Sequence, residues 1–400
     1  NAAVAIGGRL VDEAIWHDGR CTWLGELTPE EAGGAEFGAI GPTIYDGTAG
    51  IALFLAQLHA ETGIERFAAA ARGAIRQSVR KLLDRPERWE TGYYTGWTGI
   101  AVAAAKIGRA IGDDRLARDE PLGLFLLLSE APRSPKPDLL SGTAGAVLAF
   151  LDLAGLSDDE RFLRQAVELG DEVVSAAKRR GSSIWWPTDT GSGRRGLTGF
   201  AHGAAGIASA LLALYSTTGE VRFRRAAEGA FAFERRNFSP LLGNWLDLRY
   251  QVNGTRFGPG AVAADAWCHG SGGILLSRLL AWKLLKDGRY LDEVDLAIQS
   301  LLSWFASEPA GSPARWCLCH GFAGNADILL TAATLLPKDA GGLRELARNV
   351  GDAGLEIDQS KLKLGLMLGL AGLGYYYLRL ASPIVPSPLV PWSIGPDLLG

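Results

Sequence analysis

A G-x-x-G element recurs seven times, and nothing else in the chain restricts its possible folds so strongly: Gly47 to Gly50, Gly96 to Gly99, Gly142 to Gly145, Gly203 to Gly206, Gly270 to Gly273, Gly321 to Gly324 and Gly369 to Gly372. Successive first glycines lie 49, 46, 61, 67, 51 and 48 residues apart. Self-similarity at such a period marks a repeat architecture. Each element opens an apolar run, such as Ile51 to Ala56, Ile207 to Leu212 or Ile274 to Leu280. About half a period later comes a charged stretch, for example Glu65 to Leu83, Asp159 to Lys178, Glu220 to Glu234 or Arg289 to Phe305. Its apolar residues fall at three- and four-residue spacing, which is helical. Each unit therefore reads as an apolar helix followed by an amphipathic one. Seven hairpins without strand alternation predict an all-α chain, an α/α toroid of seven inner and seven outer helices.

Length alone would allow two or three domains. A unit that can bury its apolar face only against its neighbours cannot be split off, so one domain is expected over 1–400. The toroid spans about Thr43 to Ala381, with an N-terminal lead-in over 1–42 and a proline-rich tail over 382–400. The glycines fit a packing role, since a residue without Cβ lets an inner helix begin close to its neighbours. Helix starts can also cradle phosphate, but no Lys-Ser/Thr pair follows any of the seven elements.

Cysteine and histidine are scarce, four and five in 400 residues, yet they concentrate at the repeat. Trp267-Cys268-His269-Gly270 and Cys319-His320-Gly321 carry two of each, Cys317 stands beside the second motif, and His202 precedes Gly203. Thiolate and imidazole ligands gathered in this way suit Zn²⁺. Parallel inner helices put every G-x-x-G at one rim. Cys268 and Cys319 each stand two residues before their first glycine, and His202, His269 and His320 each stand one before theirs. Asp138 stands four before Gly142. Both cysteines and one histidine can thus converge, with His202 and Asp138 across the mouth. Three ligands leave a tetrahedral position open, as catalytic zinc requires. Spacing alone leaves His269 and His320 as rivals for the third ligand. It also leaves Asp138 readable as a plain helix cap after Pro132, Pro135 and Pro137, and Trp267 as a buried aromatic.

A net charge of −4 and no long basic run argue against a nucleic-acid partner. The longest uncharged apolar stretch, Leu364 to Leu378, is too short and glycine-broken to span a membrane. Few cysteines, most of them at the motifs, point to a reducing compartment. A chain starting at Asn1, with neither Met nor a signal-like segment, is expected to be a piece of a longer protein.

The order Asp138, His202-Gly203, Trp267-Cys268-His269-Gly270, Cys319-His320-Gly321 on seven G-x-x-G units resembles the lanthionine synthetase C-like cyclases, over nearly the whole chain. Gly41-Pro42 leading to Tyr45-Asp46-Gly47, the stretch Gly243 to Arg249, and Gly369 to Gly374 before the proline-rich tail are most similar to the cyclase domain of class II (LanM-type) lanthipeptide synthetases. The resemblance implies zinc on Cys268, Cys319 and His320, an acid/base pair of Asp138 and His202, and Trp267 lining the substrate site with His269 at its rim. It implies a dehydrated precursor peptide, leader plus core, as substrate, and a dehydratase domain fused upstream. It also implies a bacterial cytoplasmic location, with membrane association only through a biosynthetic complex. Where stand-alone cyclases often carry arginine four residues before the first zinc cysteine, this chain has Ala264, so that role does not transfer.

The reaction expected is Michael-type addition of a peptide cysteine to dehydroalanine or dehydrobutyrine, closing a thioether ring. A free thiol, pKa about 8.5, is mostly protonated at neutral pH, whereas a zinc-coordinating one is deprotonated. His202, oriented and kept charged by Asp138, is the candidate acid for the resulting enolate. Two other classes compete. A zinc-dependent thiol alkyltransferase would want an Asp-x-Cys ligand pair, to which Asp265 is the nearest approach. A non-catalytic zinc-stabilised peptide- or glutathione-binding scaffold would need the ligand triad but neither Asp138 nor His202. Trp185, Trp186, Trp245 and Tyr250 lie on long insertions before the His202 and Cys268 motifs, where loops often meet substrate and ordinary packing is the competing role.

Overall fold

A computed structural model describes residues 2–27, 37–86, 90–129, 136–157, 159–188, 196–250, 262–308, 312–336, 338, 340–391 and 393. Helix α1 (Ala2–Asp12) comes first. Six hairpins follow: α2 (Thr48–Thr62) with α3 (Glu65–Asp84), α4 (Trp97–Ile111) with α5 (Glu120–Leu128), α6 (Thr143–Leu156) with α7 (Glu160–Ala176), α8 (Ala204–Thr218) with α9 (Val221–Arg235), α10 (Ser271–Leu285) with α11 (Gly288–Ser307), and α12 (Phe322–Leu335) with α13 (Ala340–Leu355). A seventh inner helix, α14 (Leu370–Ala381), ends the series. The first helix of each pair begins within a residue or two after the first glycine of its element, as the repeat predicts. It is apolar nearly all round: eleven of the fifteen residues of α8 are buried. The second is amphipathic, burying Phe67, Ala70, Ala71, Ala74, Ile75, Ser78 and Leu82 on α3 at helical spacing. The strands among the described residues form only two-stranded antiparallel ribbons: β1 (Ile15–His17) with β2 (Arg20–Thr22), β3 (Leu24–Glu26) with β4 (Phe37–Ala39), β5 (Lys178–Arg180) with β6 (Ser183–Trp185), and β7 (Phe238–Ser239) with β8 (Asn244–Trp245).

Two compact units can be distinguished. The first comprises Asn1–Arg133, Gly311–Ala323 and Asn349–Val385. Within it α1, which the repeat did not foretell, packs on α14 and α2. A methyl at Gly374 would come within 2.4 Å of Phe54 and 2.8 Å of Ile6. The last inner helix thus finds an outer partner at the opposite end of the sequence. β2 lies on α3, where buried Cys21 donates to the Ala70 carbonyl at 3.4 Å and rests beside Gly73. The second unit comprises Ser134–Ala310, Gly324–Arg348 and Pro386–Gly400. In it the β5–β6 ribbon lies on α9, with Ile184 against Gly229 and Trp185 stacked on Phe233. Trp186 is buried and donates to the Val173 carbonyl at 2.7 Å. Trp245 is buried as well, and Tyr250 is exposed. Two of the four aromatics on the insertions, Trp186 and Trp245, are therefore core, and Trp185 is half-buried against Phe233. The remainder of those insertions, 189–195 and 251–261, lies outside the described residues.

The glycines serve one recurring turn. The first N–H of an inner helix donates to a carbonyl seven residues earlier: Thr48 to Gly41, Trp97 to Glu90, Thr143 to Lys136, Ala204 to Leu197, Ser271 to Ala264 and Leu370 to Lys363, all at 2.7–3.2 Å. The loop folds so tightly over the helix start that a Cβ on the second glycine would collide with the carbonyl six residues back. The clash would be at 2.1 Å for Gly50 on Ile44 and 1.9 Å for Gly206 on Phe200. Helix N-terminal donors left unpaired elsewhere are here used by the chain's own loop. Packing, not phosphate binding, is what the element does.

Candidate active site

The same loops carry the candidate residues and are hydrogen-bonded one to the next. In the second unit, the N–H groups of Leu139 and Leu140 donate to the Ala201 carbonyl at 3.2 and 3.0 Å. Those of Phe200 and Ala201 donate to the Cys268 carbonyl at 3.2 and 3.1 Å. The loops of Asp138, His202 and Cys268 are thereby in register. In the first unit, Leu318 and Cys319 donate to the Met367 carbonyl at 3.0 and 2.9 Å, Met367 to Tyr45 at 2.7 Å and Tyr45 to Tyr94 at 2.9 Å.

Asp138 is buried and takes two bonds. Its Oδ1 accepts from the Ser141 N–H at 2.7 Å, and its Oδ2 from His202 Nδ1 at 2.8 Å. An ionised carboxylate can only accept, so Nδ1 carries the proton and Nε2 is left for proton exchange. The His202 side chain is 30 % exposed, open enough to meet a ligand. Its ring stacks on that of His269, with centroids 5.8 Å apart. His269 is buried, and burial holds its imidazole below the usual histidine pKa, in the neutral form. Nearby, burial pushes the Asp247 carboxyl up. The Arg249 hydrogen bonds, as short as 2.6 Å, outweigh this and hold it below the usual carboxylate range.

Cys319 and His320 stand on a loop of the first unit and Cys268 on a loop of the second, and all three are potential metal ligands. Cys268 is half-buried, Cys319 buried and His320 exposed. Their soft thiol and imidazole donors are the types that suit zinc. The rival His269 is not among them. Neither is Asp265: its Oδ1 accepts from Ser271 Oγ at 2.5 Å, Ser300 Oγ at 2.7 Å and Asn244 Nδ2 at 2.9 Å. That removes the residue nearest to an Asp-x-Cys pair.

Trp267, expected to line the substrate site, is 0 % exposed. Its indole donates to the Leu389 carbonyl at 2.9 Å and its ring meets Phe200 edge-on. It braces Cys268 from behind because the tail covers its open face. Two groups escaped the sequence reading. Tyr45 donates from Oη to Cys319 Sγ at 3.0 Å. It stands two residues before Gly47, the register position of both cysteines, so the signal was present. Glu234 is fully buried beneath the His202 loop and paired with Arg278. Arg278 was visible as a lone charge inside an apolar inner helix.

Comparison with known proteins bears on the family and the fold. A family model described as lanthionine synthetase C-like protein matches residues 38–392. The chain is 24 % identical over 260 residues to the Lacticin 481/lactococcin biosynthesis protein LcnDR2 of Lactococcus lactis subsp. lactis, a match covering 61 % of this chain. That match spans only 25 % of the length of the relative. It is 26 % identical over 363 residues to Glutathione S-transferase LANCL1 of Danio rerio, covering 85 % of this chain and 82 % of that protein. The solved structure of nisin cyclase superposes with a TM-score of 0.66 at 18 % identity, covering 89 % of this chain and 91 % of that one. The likeness is one of fold: the α/α toroid of lanthionine synthetase C-like proteins.

Proposed function

The chain belongs to the lanthionine synthetase C-like family, and from that membership we propose that it is a lanthionine synthetase acting on a dehydrated precursor peptide. The thiol of a peptide cysteine adds to Cβ of a dehydroalanine or dehydrobutyrine. A C–S bond forms, the C=C π bond is consumed, and the proton lost from sulfur is balanced by one gained at Cα.

In this reading Cys268, Cys319 and His320 would hold Zn²⁺. Bound zinc would supply a Lewis acid that keeps a substrate thiol deprotonated at neutral pH. His202 exchanges the proton through Nε2, and Asp138 fixes the tautomer and balances the charge of the imidazolium. His269, neutral and stacked on His202, fills space without competing for the proton. The observation that carries the catalytic reading is the Asp138–His202 pair at 2.8 Å, outside the ligand set. A zinc-stabilised scaffold has no use for it. We further propose one cyclase domain over 1–400, supported by a single family match across 38–392. An upstream dehydratase belongs to the same reading, since the Lactococcus relative is far longer than its matched part. Two ligand thiols are best kept reduced in a bacterial cytoplasm, and among the described residues no helix is long and apolar enough to cross a membrane.

The test is mass and free-thiol analysis of a dehydrated precursor peptide incubated with the zinc-loaded protein. Ring closure removes thiols without changing mass. The match to a protein named as a glutathione S-transferase favours one second reading, addition of an external thiol at the same site. Repeating the incubation with glutathione separates the two, because that product gains mass. Thiols untouched under both conditions would leave the scaffold reading.

A further inference from the structure

We propose that Glu234 is a positioning residue for His202: from the outer helix α9 its carboxylate holds both ends of the loop that presents the imidazole to Asp138. The inference rests on the proposed role of His202 in ring closure. Glu234 Oε1 accepts from the backbone N–H of Gly199 at 2.9 Å and of Ala205 at 3.0 Å. These donors stand three residues to either side of His202. The second is in the first turn of α8, where a negative group also meets the positive end of the helix dipole. Oε2 forms an ion pair with Arg278 Nη2 at 3.0 Å. Arg278 Nε bonds in turn to Glu293, which also holds Arg235. Glu234 and Arg278 are both fully buried.

The loop so held has no slack. Gly199 has φ +101, and a Cβ there would come within 2.9 Å of His269 Cα and 3.0 Å of the Cys268 carbonyl oxygen. One carboxylate thus fastens the backbone on which His202 sits and which packs against the first candidate metal cysteine.

The repeat supplies an internal control. Gly47 to Ser78 and Gly203 to Glu234 are both 31 residues, so the two outer-helix side chains are register equivalents. In the first hairpin a neutral hydroxyl suffices: Ser78 Oγ meets Thr48 Oγ at the helix start at 2.6 Å. In the fifth, Ser300 reaches Asp265 at 2.7 Å from one position earlier. Among these three register positions only the one beneath the His202 loop holds a buried carboxylate, and it is met by a buried arginine from α10 of the next hairpin. Such a pair adds little to stability beyond what apolar packing would give. What it adds is direction: one carboxylate oxygen accepts from two backbone N–H groups while the buried arginine lies against the other, which fixes the loop geometry.

The experiment compares zinc-loaded wild type with Glu234→Gln, with Glu234→Ser, and with a Glu234→Gln/Arg278→Met double variant that leaves no unpaired buried cation. Zinc content, the His202 Nδ1–H proton resonance in ¹⁵N-histidine-labelled protein (assigned by its loss in His202→Asn), and kcat and KM for ring closure are measured. Expected are unchanged zinc, a displaced or broadened Nδ1–H signal, and a kcat lowered on the order of 10²-fold with KM little altered, the cost of a misplaced catalytic group. A folded variant with the wild-type resonance and kcat overturns the proposal. So does failure of all three variants to fold, which would make Glu234 a folding residue. If wild type itself closes no rings, the ring-closing reading has failed, and the resonance alone decides whether Glu234 positions His202.

Discussion

Replacing Asp138 with Asn tests the acid/base pair without touching the metal ligands. The side chain is isosteric, and Asp138 is buried with an acceptor bond on each oxygen, 2.7 Å to Ser141 N–H and 2.8 Å to His202. Asn has a single acceptor oxygen for these two donors, so the Ser141 bond survives only where the amide N–H turns toward His202. Toward His202 it offers either a neutral carbonyl or an N–H donor. In the first case a charge-assisted bond of about 1.5–3 kcal/mol becomes a neutral one of about 0.5–1.5 kcal/mol. The imidazolium loses ~1–2 kcal/mol, or roughly 5–30-fold in rate. In the second, the amide N–H forces the proton from Nδ1 to Nε2, and the group that should exchange protons is held in the wrong tautomer. Losses of about 10⁴-fold accompany that outcome in catalytic triads. Ring closure should therefore fall at least about fivefold, with stalled linear or mispaired peptide visible by thiol labelling and mass spectrometry, while zinc content stays at the wild-type value. Unchanged rates would refute the reasoning, and so would loss of zinc, which would make Asp138 part of the metal site.

Cys268→Ala and Cys319→Ala should each strip zinc and abolish cyclisation while leaving most of the helical circular-dichroism signal. His320→Ala should do the same, whereas metal loss in His269→Ala instead would reverse the choice between the two histidines. Tyr45→Phe should retain zinc but shift the thiolate-to-metal charge-transfer band of the cobalt-substituted protein, since Cys319 Sγ loses a donor at 3.0 Å; an unmoved band would show the contact to be incidental. Burial pushes the Cys21 thiol from 9.0 up to about 12. Its raised pKa contributes stability that is fully present below pH ~9 and lost as pH rises toward ~12, so the fall in urea midpoint over that window should be shallower in Cys21→Ala. Trp186, buried just after the β5–β6 ribbon, is a core residue of its unit: Trp186→Ala should cost about 3–5 kcal/mol of stability, with kinetics on a small thiol and dehydroalanine pair unchanged.

The helical hairpins, their boundaries within a few residues, and the positions of all candidate ligands were legible in the sequence, because a repeat converts spacing into register. Asp138, His202, Cys268 and Cys319 occupy fixed offsets from a glycine whose lack of Cβ the turn requires, so similar local rules place them on similar loops. What the sequence could not decide depended on which distant segments meet. The outer partner of α14 is α1, over 350 residues away, and nothing local in either helix specifies that pairing. His269 and His320 have identical offsets, and only the fold buries one against the His202 ring and leaves the other exposed. Trp267 reads as a site aromatic until the tail brings the Leu389 carbonyl over its indole. The charge on Glu234 becomes meaningful only when packing strips it of water and sets Arg278 against one oxygen and the His202 loop against the other. Register comes from short-range periodicity, which a linear string contains. Burial and partner choice come from long-range packing, which exists only once the chain has closed on itself.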